Sequence, residues 1–398
     1  MNSRLIIVEP GHFHATLLQK EMYPWLDPRV SVYAPLGPEL LDYIGRVAAF
    51  NLRKENPTAW RLSVHTSDDP MAEMLRDKPG NIVVFTGRNR QKIGRILEAL
   101  RAGLHVLADK PWIINSADLP KLEEALHLAR VKKLAAYDIM TERYEVTSEL
   151  QREFVRDREI FGDPVNVRAR SVHNVIKIVA GTPLRRPPWF FDIVEYGEGL
   201  ADVGTHVVDL VQWSLFPGQP IDWKNDIRIT GGKRWPLPLT PEQFERVTGV
   251  KRDAPLDYYC NNAVDYTLRG VPVSLEIVWD WEAAPGAGDV YEAAFMGTGA
   301  KIEIRNGELY VAGAGQSAVA KRVAAIQSQW PGVKAEAAAG EWHIVIPKQY
   351  HVGHEAHFAQ VTNRFADYVN APESMPAWED AFMMAKYFVS TKGTEAGR

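Results

Sequence analysis

The sequence predicts an α/β domain built on a doubly wound parallel sheet, followed by an α+β domain with a large, mostly antiparallel sheet. Three observations predict it. Over residues 1–140 short apolar runs alternate with helical patterns. From about residue 150 the runs alternate in polarity and are joined by hairpin signals. Residues 351–398 return to helical periodicity. The divisions therefore fall at 1–140, 141–350 and 351–398, the last being helices that pack back on the body.

Leu5–Val8 is continuously apolar, as a strand covered on both faces requires. Ala15–Met22 reads as a helix, Val30–Tyr33 as a second strand stopped by Ala34 and Pro35, and Glu39–Phe50 as an amphipathic helix. Asn81–Thr86 is another buried strand. Lys92–Ala102 is a helix stopped by Gly103, and His105–Ala108 a strand. Ser116–Lys132 is a helix capped by Asn115 or Ser116, and Leu134–Tyr137 a further strand. Such alternation argues for parallel strands with helices on both faces.

Beyond residue 150, strands are expected at 165–172, 226–229, 261–268, 271–281, 291–297 and 300–305. Arg269-Gly270 and Asn306-Gly307 are hairpin turns, the Asn-Gly pair being the stronger signal. Gly231–Val250 looks like an insertion with a short helix begun at Thr240-Pro241. Ala201–Leu215, His354–Val369 and Ala377–Lys392 are helical.

Composition limits the function classes. The 398 residues carry 46 Lys plus Arg against 50 Asp plus Glu, a net charge of −4, which gives no electrostatic reason to expect nucleic acid. Hydrophobic residues make up 46% of the chain, enough for a substantial core. One cysteine, Cys260, excludes an intrachain disulfide and a cysteine zinc cage. No apolar run is long enough to span a membrane or to act as a signal peptide, so a cytoplasmic chain is expected.

The first strand runs into Glu9-Pro10-Gly11-His12-Phe13-His14, where a dinucleotide fold keeps its glycine turn. Laid on G-x-G-x-x-G, the three glycine positions hold Glu9, Gly11 and His14, so only the central one survives. Tyr33-Ala34-Pro35 stands where an acid for the ribose is usual, which leaves NAD and NADP both open. The fourth strand ends in Thr86-Gly87-Arg88-Asn89 and the fifth in Asp109-Lys110-Pro111, and parallel strands aim such ends at one crevice. An ammonium there can steer an alcohol oxygen.

The densest constellation is Gly199–Trp213. On a helix Asp202, His206, Asp209 and Trp213 share one stripe, flanked by Val203, Val207 and Leu210. A carboxylate one turn before a histidine fixes its tautomer and raises its basicity. Upstream, His173, Lys177, Arg186, Trp189 and Asp192 are candidates for binding substrate, although the Arg-Arg-Pro-Pro-Trp loop reads equally well as structural. His351, His354 and His357 miss the H-E-x-x-H spacing by one residue, and no metal site is expected. Cys260 is read as a core filler.

Lys110, the Asp202/His206 helix and the order of the domains make most of the chain resemble the Gfo/Idh/MocA oxidoreductases, in a branch with its own C-terminal region. The resemblance implies a Rossmann domain whose Glu-Lys-Pro motif is here Asp109-Lys110-Pro111, and a second domain that opens onto the nicotinamide. It implies that NAD, or NADP, is held by Gly11, His12, Phe13, His14, Tyr33, Thr86, Gly87, Arg88, Asn89, Asp109, Lys110 and Pro111. The departures are Glu9 and His14 in the glycine turn.

The implied chemistry is hydride transfer between a sugar or polyol carbon and nicotinamide. Lys110, Asp202 and His206 are the catalytic expectation, with His206 or Lys110 as proton acceptor. A carbohydrate is the expected partner, and a homo-oligomer (dimer or tetramer) the expected assembly. Two alternatives stand beside this. One is a glycosidase that oxidises transiently, eliminates and re-reduces with retained NAD. The other is a non-catalytic ligand sensor.

Overall fold

The computed structural model describes residues 3–179, 182–284 and 288–398. Contacts divide the chain into two units. The first comprises residues 3–140, 187–197 and 358–376, and the second residues 141–186, 198–357 and 377–398.

In the first unit six parallel strands lie in the order β3-β2-β1-β4-β5-β6, the doubly wound arrangement of a Rossmann fold. They are β1 (Leu5–Val8), β2 (Arg29–Ala34), β3 (Arg61–Thr66), β4 (Ile82–Phe85), β5 (His105–Ala108) and β6 (Ala136–Asp138). The central strands β1 and β4 are buried at every residue, which is why they read as unbroken apolar runs. The helices are α1 (His14–Leu17), α2 (Pro38–Leu52), α3 (Pro70–Asp77), α4 (Lys92–Arg101) and α5 (Leu119–Lys132).

Two expectations are corrected here. Helix α1 has four residues instead of the predicted eight: beyond Leu17 the bonds tighten to i−3, with Gln19 N–H to the Thr16 carbonyl at 2.9 Å and Lys20 N–H to the Leu17 carbonyl at 3.3 Å. A short 3-10 turn, Ser116–Asp118, precedes α5, and neither Asn115 nor Asp118 caps it with a side chain. The edge strand β3 and α3 escaped the sequence reading. The residues of β3 are mostly exposed or half-exposed, so its pattern carries no apolar stripe.

The second unit is built on nine strands in the order β10-β11-β12-β7-β13-β14-β15-β17-β16. They are β7 (Pro164–Ile176), β10 (Ile227–Leu239), β11 (Leu256–Leu268), β12 (Val271–Glu282), β13 (Val290–Gly297), β14 (Lys301–Arg305), β15 (Glu308–Ala312), β16 (Lys334–Ala338) and β17 (Glu341–Val345). The short β8 (Ile178–Val179) and β9 (Thr182–Pro183) form a separate hairpin. Every neighbouring pair in the large sheet is antiparallel except β12 with β7. Both predicted hairpin turns form, with φ of 50° and 82° at Arg269-Gly270 and 51° and 74° at Asn306-Gly307, the type I′ signature.

The helices α6 (Val146–Val155), α7 (Gly199–Asp202), α8 (Gly204–Leu215), α9 (Pro241–Thr248), α10 (Gln316–Ile326), α11 (His354–Asn370) and α12 (Ala377–Ala396) complete the chain. Gly231–Leu239 is not an insertion: it is the body of the edge strand β10. An edge strand tolerates Pro236 and Pro238. Gly232 is needed because a Cβ there would lie 2.7 Å from the Gly393 carbonyl and the Gly397 nitrogen of α12 and its end. Among the described residues no helix is long and apolar enough to cross a membrane.

Candidate functional site

In the first unit the carboxyl ends of β1, β4 and β5 meet at the point where the strand order reverses. The turn after β1 is held tightly by its own backbone. Gly11 N–H donates to the Glu9 carbonyl at 2.7 Å, and His12 N–H to the Thr86 carbonyl at 2.6 Å. Glu9 takes a positive φ of 45°, and its carboxylate pairs with Arg95.

His12 and His14 both turn toward Asp109. Their Nδ1 atoms lie 3.1 Å and 3.4 Å from the same carboxylate oxygen, Oδ2. The buried ammonium of Lys92 pairs with Oδ1 and donates to the Asp109 carbonyl at 3.0 Å. Burial alone would raise the Asp109 carboxyl, but Lys92, His12 and His14 hold it well below its usual range. Burial first, and His12 next, hold His14 well below the usual imidazole value. Phe13 packs against both imidazoles, with ring centroids 4.4 Å and 4.7 Å away, and the two imidazoles themselves meet edge to face at 3.9 Å. Lys110 follows Asp109, is buried and leads into Pro111 through a cis peptide.

Trp189 belongs to the first unit, where its indole donates to Glu39 at 3.0 Å and Arg88 lies over the ring at 5.5 Å. A Cβ on Gly11 would come within 2.7 Å of Trp189 Cζ2. The same segment is tied down at its far end. Asn89 Nδ2 donates to the Tyr196 carbonyl at 2.6 Å, and Asn89 and Arg90 N–H both donate to the Glu195 carbonyl at 3.0 Å. Asp192 also lies in this segment, and its carboxylate accepts from Val194 N–H at 2.9 Å, a local turn role. Tyr33 stacks on His65 at 4.6 Å and donates to Asp77 at 3.1 Å.

Two buried acceptors decide how well a dinucleotide fits. Thr86 Oγ1 and Asn89 Oδ1 are shielded from solvent and have no hydrogen-bond partner among the described residues. Buried polar atoms are seldom left so, and these two stand at the strand end where a ribose and carboxamide would bring donors. The nicotinamide side therefore fits. On the phosphate side, Gly11 is the one glycine of the fingerprint that is kept, and a side chain there would meet Trp189 at 2.7 Å.

In the second unit the predicted single helix is two. α7 ends at Asp202, Val203 forms the joint, and α8 carries His206 and Asp209. Asp202, His206, Asp209 and Trp213 are all at least nine-tenths buried. Asp209 does not serve His206. It takes the guanidinium of Arg143, with Nη2 at 2.8 Å from Oδ1, and Lys386 at 3.3 Å. The helix can lie so deep because Gly199 has no side chain: a Cβ there would be 1.9 Å from the Cys260 carbonyl.

The residue missed in the sequence is Glu142, in the 3-10 turn Thr141–Tyr144. His354 Nδ1 lies 3.5 Å from its carboxylate. Burial would raise this carboxyl, but His354, His206 and His173 bring it down to about 2. One turn on, Glu145 Oε1 lies 3.4 Å from His357 Nδ1. Burial and the Glu142 charge push Glu145 up to about 7, and burial pushes His357 down to about 4. The first turn of α11 thus meets Glu142 and Glu145 in an acid–imidazole array. Its signal was Glu-x-x-Glu at 142 and 145 matching His-x-x-His at 354 and 357.

His173 is held on both ring nitrogens, by Asp289 at 3.0 Å and Ser171 Oγ at 2.9 Å, and Lys177 pairs with the same Asp289. Arg186 binds backbone carbonyls. Its Nε donates to the Val175 carbonyl at 2.8 Å and its Nη2 to the Asn174 carbonyl at 3.2 Å, over the face of Trp279.

The family described as "Putative oxidoreductase C terminal domain" matches residues 150–398, more than half of the chain. The chain belongs to that family. No curated protein matches it. A crystal structure described as a "putative oxidoreductase" from Parabacteroides merdae ATCC 43184 is similar over 100% of this chain and 97% of its own, at 38% identity and a TM-score of 0.94. Levoglucosan dehydrogenase in complex with NADH and levoglucosan covers 100% of this chain and 97% of its own, at 15% identity and a TM-score of 0.64. Biliverdin reductase from Synechocystis sp. PCC 6803, in complex with biliverdin and NADP+, covers 100% and 99%, at 12% identity and a TM-score of 0.64. At those identities the last two share the fold.

Proposed function

We propose that this oxidoreductase is an NAD(P)-dependent enzyme of the Gfo/Idh/MocA type that acts on a hydroxyl carbon of a sugar or polyol. The observation that carries the reading is the pair of orphaned acceptors, Thr86 Oγ1 and Asn89 Oδ1, at the carboxyl end of β4 in a 3-2-1-4-5-6 sheet. The NADH complex of levoglucosan dehydrogenase and the NADP+ complex of biliverdin reductase support a nicotinamide cofactor on this fold. The sugar belongs to the first of these and the tetrapyrrole to the second, so the choice of sugar rests on the acid–base residues.

Gly11, Thr86, Asn89 and Lys110 would hold the cofactor, which supplies a hydride acceptor when bound. Lys110 presents a buried ammonium that can bind an oxygen and stabilise alkoxide charge. His206 is the alternative proton acceptor, on the same unit as Glu142 and His354. Glu142, held ionised by His354, His206 and His173, supplies a fixed negative charge on that unit.

The Glu142–His354 pair favours a second reading. A plain dehydrogenase needs one proton acceptor, whereas oxidation followed by elimination needs a further acid–base pair. A retained-cofactor glycosidase would use it. The test is mass spectrometry of nucleotide released from purified protein, with NADH and sugar product counted in the same reaction. NADH in step with product supports the dehydrogenase. Sugar release without net NADH supports the glycosidase. Neither nucleotide nor turnover across a sugar panel overturns both.

A further inference from the structure

Two imidazoles from the turn after β1 and one carboxylate from the end of β5 converge on one point. His12 Nδ1 is 3.1 Å and His14 Nδ1 3.4 Å from Asp109 Oδ2, and the three donor atoms all lie within 4.8 Å of one another. Around a tetrahedral ion with bonds of about 2.0–2.1 Å, ligand atoms sit about 3.3 Å apart. The two imidazole–carboxylate distances already match that edge length.

We propose that His12, His14 and Asp109 form a binding site for a divalent transition metal, held through Nδ1, Nδ1 and Oδ2 with one coordination position open.

Four features of the cluster argue for it. First, the carboxylate is aimed: Lys92 occupies Oδ1 and the Asp109 carbonyl, leaving Oδ2 to the imidazoles. Ligands fixed by such outer contacts bind metal more tightly. Second, the ligands sit on rigid backbone. The His12 amide is tied to Thr86 at 2.6 Å and the Asp109 amide to Phe85 at 3.0 Å, so β1, β4 and β5 set the spacing. Third, the cluster is largely shielded, with side chains 11% exposed at His12, 8% at His14 and 3% at Asp109. A water or a ligand oxygen would complete the shell. Fourth, two nitrogens and one oxygen suit Zn2+, Co2+, Ni2+ or Fe2+, and not Mg2+ or Ca2+. Lys92 offsets the charge of Asp109, so the affinity falls below that of a cysteine-rich structural site. A phosphate oxygen of a cofactor could fill the open position.

The test needs no turnover and is separate from the redox reading. The full chain, stripped with a chelator, is titrated with Co2+ and followed by its visible d–d absorption. One equivalent should give the intense bands of a four-coordinate site, and Zn2+ should displace it. His12→Ala and His14→Ala should each weaken binding at least ~10-fold, with unchanged circular dichroism, and His351→Ala should leave it unaltered. Asp109→Asn leaves Lys92 buried without its counter-charge, so the histidine variants carry the test. Absence of saturable binding, or binding that survives both histidine substitutions, overturns the proposal.

Discussion

The guanidinium of Arg143 forks onto Asp209, with Nη2 at 2.8 Å from Oδ1, while its Nη1 reaches Glu379 at 2.9 Å. All three side chains are buried. Arg143 is the neighbour of Glu142, and Asp209 lies three residues after His206 on α8. One ion pair therefore fixes the turn that carries the carboxylate to the helix that carries the imidazole. Replacing Arg143 with Ala leaves Glu379 buried without the guanidinium and Asp209 with Lys386 alone, which should cost about 3–5 kcal/mol. Urea unfolding of the variant measures it. A loss under about 1 kcal/mol would contradict the assignment.

Glu145 and His357 should give stability an unusual pH dependence. Between pH 4.5 and about 7 the folded chain keeps a proton on Glu145 that the unfolded chain has released, so this term falls as pH rises. His357 works the other way. Its folded value of about 4 lies below the unfolded 6.5, so its term rises with pH through that window. Glu145→Gln removes the first term alone. The stability of the variant relative to the natural chain should increase from pH 4.5 to 7 by about 1–2 kcal/mol, allowing for a side chain 30% exposed. A difference constant with pH would refute it.

Gly199→Ala should be among the most damaging single-methyl changes. The added Cβ would meet the Cys260 carbonyl at 1.9 Å, a backbone atom in the middle of β11 that has no rotamer to change. The cost expected is at least about 2–3 kcal/mol. Thermal unfolding checks it, with Gly45→Ala, which meets nothing within 4 Å, as the harmless control.

Thr86→Val separates ligand binding from folding. The hydroxyl has no partner among the described residues, so its loss should leave stability unchanged or slightly raised. If the hydroxyl serves a dinucleotide, the Kd for NAD(P) should rise about 5–10-fold, the worth of one hydrogen bond. Calorimetric titration of the variant reads this, and equal affinity would remove Thr86 from the site.

Much of the fold was legible because its signals are local. Apolar runs such as Leu5–Val8 and turns such as Asn306-Gly307 carry their reason within a few residues. What escaped depends on distant partners. Gly231–Leu239 looks unlike a strand until α12 is seen lying against Gly232. Asp209 reads in the sequence only as a member of the stripe that carries His206, and only the fold brings Arg143 and Lys386 to it. The Arg-Arg-Pro-Pro-Trp loop reads equally as a substrate or a structural segment, because the neighbours of Trp189, Gly11 and Glu39, lie more than 140 residues earlier. Glu142 was missed because its three imidazoles come from β7, α8 and α11.

The central claim is that Lys110 and His206 serve an NAD(P)-dependent oxidation of a hydroxyl carbon. The most direct measurement is the rate of NAD(P)H formation over a panel of sugars and polyols, for the natural chain, Lys110→Ala and His206→Ala. The account predicts turnover with at least one compound, and a loss of roughly 100-fold or more in whichever variant removes the proton acceptor. Near-natural rates in both variants, or no reduction of either cofactor by any compound, would contradict it.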